Sequence, residues 1–152
     1  MACPFFVPTR KLDDAGWLHA SRLPLGGGWL GHCSAPGHEG AEPPDHELHE
    51  CCNFGYAASC PWLPVERSCD AVRFSVTHDS GVRLLLWFVF ESGHRPAGHG
   101  ILEFDVLRES WITPHPDTRI QRMAECYLEC YLLRKNRSAP ADPTSRVKHE
   151  SD

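Results

Sequence analysis

No apolar run in this 152-residue chain approaches the roughly 18 residues of a membrane-spanning helix. The longest, Leu84-Leu85-Leu86-Trp87-Phe88-Val89-Phe90, has the length of a strand. Basic residues are too few and too scattered to make a stripe. With a net charge of −5, binding to nucleic acid has no electrostatic support. The first residues, MACPFFVPTRKLDD, lack the basic start and long apolar stretch of a secretory signal, so the expectation is a cytoplasmic protein. Catalytic signatures are also missing. Gly26-Gly27-Gly28 is not followed by the Lys-Ser/Thr of a phosphate-binding loop, and His46 and His49 are one residue closer than the histidines of HExxH. No Ser–His–Asp set stands out, and no acid–base pair favours an enzyme.

Cysteine is plentiful: eight residues, six of them within residues 1–69. That share is below the roughly 8–10% of disulfide-built secreted scaffolds, and a reducing compartment keeps thiols free. Metal ligation or thiol chemistry is therefore favoured over a disulfide framework. The ten histidines are spread along the whole chain, a pattern of surface positions.

The chain reads as one domain over residues 1–136, followed by a polar, proline-bearing stretch, residues 137–152, expected to be disordered. Residues 1–69 are rich in proline, glycine, histidine and cysteine and poor in periodicity. They predict loops with one short helix near residues 44–52, started by Pro44 and Asp45 and stopped at Gly55. Ordering such a segment costs about 1–2 kcal/mol per residue in backbone entropy. A metal site would offset that cost, because metal-binding energy becomes folding energy.

Residues 70–136 read as a meander plus a helix. Val72, Phe74 and Val76 alternate with Arg73, Ser75 and Thr77, the period of a half-buried strand. Val82 to Phe90 predicts a strand buried on both faces, Glu91 to Gly100 a loop, and Ile101 to Val106 a third strand. Ile120, Met123, Ala124, Tyr127, Leu128, Tyr131 and Leu132 form a helical stripe over residues 117–135. The expected fold is α+β: a three-stranded antiparallel sheet packed on a C-terminal helix, with a loop-rich cysteine-containing N-terminal half.

Structural zinc sites draw ligands from C-x2–4-C knuckles, and residues 1–69 contain none. Adjacent side chains diverge, so only one of Cys51 and Cys52 is expected to ligate. Cys3, Cys33, Cys52 and Cys60 remain as ligands from four separate loops, an arrangement suited to a [4Fe–4S] cluster. Cys3-Pro4 and Cys60-Pro61 repeat the Cys-Pro pair that closes the ligand run of bacterial ferredoxins. Phe5, Phe6, Phe54, Tyr56 and Trp62 flank these thiols and would shield a cluster. Asn53 and Gly55 permit a tight backbone that turns amides toward the Cys52 sulfur, and Cys51 is expected on the preceding helix. Cys126 and Cys130, four residues apart, read as small residues at the border of the apolar stripe.

Together CPFF, RLPLG, GHC, CCNFGYA and the CP of Cys60-Pro61 resemble a group of small bacterial cysteine-rich proteins, over residues 3–64. The resemblance implies that these cysteines form one site; it brings no activity with it. The functional expectation is an iron–sulfur protein that passes electrons or senses redox state for a larger protein partner. A zinc-stabilised interaction module and an enzyme with an open-site cluster stand as alternatives.

Overall fold

The alternation at Val72, Phe74 and Val76 is the inner face of strand β3, Ala71–Asp79, at one edge of a four-stranded antiparallel sheet. It is followed by β4, Arg83–Ser92, β5, Arg95–Asp105, and β6, Ser110–Thr113. We describe residues 1–140 of a computed structural model. The sheet is a plain meander, β3-β4-β5-β6, with Phe74 opposite Phe88 and Leu86 opposite Leu102.

A second, two-stranded sheet pairs β1, Phe6–Lys11, with β2, Trp29–Cys33. The expected single three-stranded sheet is therefore corrected to two antiparallel sheets, of two and four strands, within an α+β fold. Proline hides β1 in the sequence. Pro8 offers no amide to a ladder, and the register shifts between Pro8 and Arg10, the kind of irregularity at which a strand tolerates proline. The loop expected over Glu91–Gly100 is instead a tight hairpin. Gly93 (φ 57°) and His94 (φ 62°) both take the left-handed conformation that joins twisted strands in two residues. β4 is not buried on both faces either, since Trp87 is 40% exposed.

The short helix near Pro44 begins as α1, Asp45–Glu47, and widens at once into a π-helical turn, Leu48–Asn53. The long helix α2 runs Thr118–Ser138, with the Asp117 carboxylate accepting from Arg119 N as its N-cap. It thus includes Arg137 and Ser138; of the stretch expected to be disordered, residues 141–152 lie outside the described residues. No helix among the described residues is long and apolar enough to cross a membrane.

One core joins the two sheets through α2. Phe6, Leu25 and Trp29 come from the N-terminal half, Val72, Leu86 and Leu102 from the larger sheet, and Ile120, Met123 and Ala124 from α2. Each large apolar side chain so buried stabilises the fold by about 1.5–3 kcal/mol. Cys126 and Cys130 belong to this core, at 0% and 1% exposure, not to its border; Cys130 packs against Gly26 and Gly27. A hydrogen-bonded bridge between Ala2 and Val72 ties the N-terminus to β3. Arg122 of α2 donates to the carbonyls of Pro8 and Thr9.

At its other end α2 is fastened to β3 by Asp79, which accepts from Lys135 Nζ at 2.7 Å and from Tyr131 Oη at 2.8 Å. The Lys135 contact, helped by Tyr131, holds the Asp79 carboxyl down to about 2. A depressed carboxyl stabilises the fold above its unfolded value, near 3.9, and loses that contribution as pH falls through about 4 to about 2. Asp79→Asn is expected to lower the melting temperature at neutral pH and to narrow its drop on acidification. A drop as large as that of the parent protein would contradict the assignment.

Candidate metal centre

Five of the eight cysteines line one cavity: Cys3, Cys33, Cys51, Cys52 and Cys60. They come from the turn before β1, the end of β2, the π turn, and the residue after a 3₁₀ turn at Ala57–Ser59. The rest of the lining is apolar: Phe5, Phe6, Ala35, Pro43, Trp62 and Leu63. The void is about 20 Å³, room for about one water molecule. All eight cysteines are free thiols.

Backbone hydrogen bonds hold these segments together. Ser34 donates through both its amide and its hydroxyl to the Phe5 carbonyl, each at 2.8 Å, which joins the Cys3 turn to the end of β2. Cys33 N donates to Ala41 O, and Gly40 N to Cys33 O, closing the loop after Cys33. Cys60 N donates to Ala57 O at 2.9 Å. Gly55 takes φ 82° beneath the Met1 carbonyl, where a Cβ would lie 1.7 Å from that oxygen; only glycine lets the two backbones meet.

Asn53 does not turn amides toward the Cys52 sulfur, as its position in CNFGYA suggests. It is 4% exposed, and its Oδ1 accepts from Trp29 N at 2.8 Å while its Nδ2 donates to Trp29 O at 3.0 Å and to Leu48 O at 2.9 Å. It clamps the thiol-bearing turn to β2. The amides aimed at sulfur are elsewhere. Ala35 N donates to Cys33 Sγ at 3.3 Å, and the Phe5 and Phe6 amides, the latter donating to Cys3 O at 3.2 Å, draw the Cys3 thiol down. Hydrogen bonds to sulfur favour the thiolate and tune a bound metal.

Burial dominates the electrostatics. It pushes the Cys3 thiol up to about 11 against the pull of those amides. It also raises Cys52, and the neighbouring sulfurs of Cys3, Cys60, Cys33 and Cys51 raise it further. Burial raises the Cys51 thiol as well, the Ser59 hydroxyl, 3.7 Å from its sulfur, opposes, and Cys60 adds to the rise. Cys60 is only partly buried and marks the solvent side of the site.

All four cysteines singled out from the sequence thus meet at one cavity, and Cys51 joins them. In a turn closed by i→i+5 bonds, such as Phe54 N to His49 O, the angle between neighbouring side chains is smaller than in an α-helix. Two adjacent cysteines can then face the same side. No residue pattern in ECCNFGYA marks that widening. Cys69, Cys126 and Cys130 lie outside the cavity. Of the expected aromatic shield, Phe5, Phe6 and Trp62 line it, whereas Phe54 and Tyr56 are 37% and 61% exposed.

Among the described residues, no group of three or more His, Cys, Asp or Glu stands in a geometry that could hold a metal ion. The five sulfurs surround the cavity without converging on one point. Their donor chemistry fits a cluster: soft thiols from separate segments, an apolar surround and an amide donating to sulfur at Cys33. The void has room for about one water molecule, so a cluster held there would need these segments to move apart, with the partly exposed Cys60, Trp62 and Leu63 at the rim. No family model matches the chain, and no curated protein or solved structure is significantly similar to it.

Proposed function

We propose that this site holds a [4Fe–4S] cluster, with Cys3, Cys33, Cys52 and Cys60 as ligands, and that the protein exchanges electrons or senses redox state for a protein partner. The observation that carries the reading is the gathering of five cysteines, from four separate segments, around one apolar cavity. Packing alone gives no reason for this convergence, because the chain has ample aliphatic residues to fill a core.

A single zinc ion asks four ligand atoms to meet within about 2.3 Å of one point. In a four-iron cluster each thiolate binds a different corner, so four sulfurs spread around a cavity suit it better. When bound, the cluster would supply one-electron redox chemistry. The chain supplies the rest: thiolates, the Ala35 amide that stabilises the one at Cys33, and Phe5, Phe6 and Trp62 to exclude water. Cys52 outranks Cys51 as the fourth ligand because the Cys51 sulfur already has the Ser59 hydroxyl beside it, at 3.7 Å. A cytoplasmic location suits an oxygen-sensitive centre of this kind.

Protein isolated without oxygen is expected to be brown, with visible absorption that fades in air. A colourless protein that unfolds when a chelator removes zinc would overturn the reading.

A further inference from the structure

We propose that the aromatic face formed by Trp17, His49, Phe54 and Tyr56 docks a protein partner whose own contact face is rich in lysine and arginine. The His49 ring stacks on Trp17 at 4.5 Å and meets Phe54 edge-on at 4.8 Å. Tyr56 extends the series, with its ring 6.2 Å from Phe54. The Trp17 indole lies so close over Gly28 that a Cβ there would come within 2.1 Å of its Nε1. The face is therefore preorganised, which lowers the ordering cost of binding.

Its position links it to the thiols. The π turn and the residues just after it carry Cys51 and Cys52 on the cavity side and His49, Phe54 and Tyr56 on the outer side. Tyr56 O accepts from both the amide and the hydroxyl of Ser59, the neighbour of Cys60. Leu18, 90% exposed, follows Trp17. Aromatic side chains left in water beside a buried site are the anchors that interfaces favour.

Charge identifies the occupant. Between Arg22 and Arg67 the chain has no lysine or arginine, but it has six carboxylates, at Glu39, Glu42, Asp45, Glu47, Glu50 and Glu66. Removing these from the net charge of −5 leaves the rest of the chain at +1. The segment that bears four of the five cavity cysteines therefore holds the whole negative excess. Carboxylates on and beside the aromatic turn, Glu47 and Glu50 among them, steer a positively charged surface toward it. The small aromatic area suits the brief contacts typical of electron exchange, which bury under about 1,200 Å². That choice of partner rests on the cluster reading; the docking test does not.

The probe is reduced cytochrome c, a small lysine-rich protein, titrated into the isotope-labelled full chain and followed by NMR. The expected result is a set of shift changes confined to residues around Trp17, His49, Phe54 and Tyr56. Affinity should fall about tenfold or more between roughly 20 and 200 mM salt. Glu47→Lys with Glu50→Lys should weaken binding to a similar extent, and Tyr56→Ala should weaken it with little change in salt dependence. Three results would each overturn the proposal: shifts centred elsewhere, salt-insensitive binding, or self-association of the chain through this face in sedimentation experiments. If iron proves absent while the probe still docks here, the cluster reading fails and the docking surface stands. If iron is present and the probe leaves this face unperturbed, the reverse holds.

Discussion

Replacing Cys52 with serine is expected to abolish cluster binding, while Cys51→Ser, at the adjacent residue, leaves it in place. The two residues share a turn, a neighbourhood and near-complete burial, at 7% and 2% exposure. They differ in their polar neighbour. The Ser59 hydroxyl lies 3.7 Å from the Cys51 sulfur, whereas the groups that act on the Cys52 thiol are other cysteines. Serine preserves size but is a poor thiolate substitute near neutral pH, so a ligand position loses its bond and a non-ligand position loses about 1 kcal/mol of packing. Because site and loop order are coupled, Cys52→Ser should also speed proteolysis within residues 1–69. Cys69→Ser, Cys126→Ser and Cys130→Ser should keep full iron content, since their sulfurs lie outside the cavity. Iron lost from Cys51→Ser but kept by Cys52→Ser would exchange their roles.

Asn53→Ala is expected to be strongly destabilising although it removes no apolar side chain. It strands two buried backbone groups, the amide and carbonyl of Trp29, and removes a donor from the part-buried carbonyl of Leu48. Each unmet group costs about 1–3 kcal/mol, so a loss of about 3 kcal/mol or more in denaturant unfolding is expected. Asn53→Asp should do no better, because it keeps an acceptor for Trp29 N, cannot donate to either carbonyl, and buries a charge. The same clamp fixes the turn that carries Cys51 and Cys52, so any cluster held by the Asn53→Ala variant should fade faster in air. A loss under about 1 kcal/mol would show that the turn is held by something else.

The legible parts of the fold were those with a strong period. Val72, Phe74 and Val76 marked β3, and Ile120 through Leu132 marked α2, because a single face of each is buried. β1 and β2 were illegible for a physical reason. Pro8 breaks the ladder, and Gly31 sits where a side chain would meet the Val7 carbonyl and the Phe6 ring, so neither segment alternates. β6 has only four residues, too few for a period to appear. At the site, the convergence of Cys3, Cys33, Cys52 and Cys60 could be argued from the absence of knuckles and the cost of ordering a loop-rich segment. The place of Cys51 could not, because it depends on a π turn that hydrogen bonds define and residue types do not. Asn53 was misread for a related reason: as a loop residue it suggests a turn, and only the tertiary pairing with Trp29 shows a clamp.

If the five-thiol cavity houses an iron–sulfur cluster, metals and sulfide can be counted in the isolated protein. The protein would be produced in cells supplied with both iron and zinc, isolated without oxygen, and analysed for iron, zinc and acid-labile sulfide per chain. About four iron and about four sulfide per chain are expected, with both lost together in Cys52→Ser. Stoichiometric zinc without iron, or a protein free of metal whose eight thiols all remain titratable after unfolding, would contradict the cluster reading.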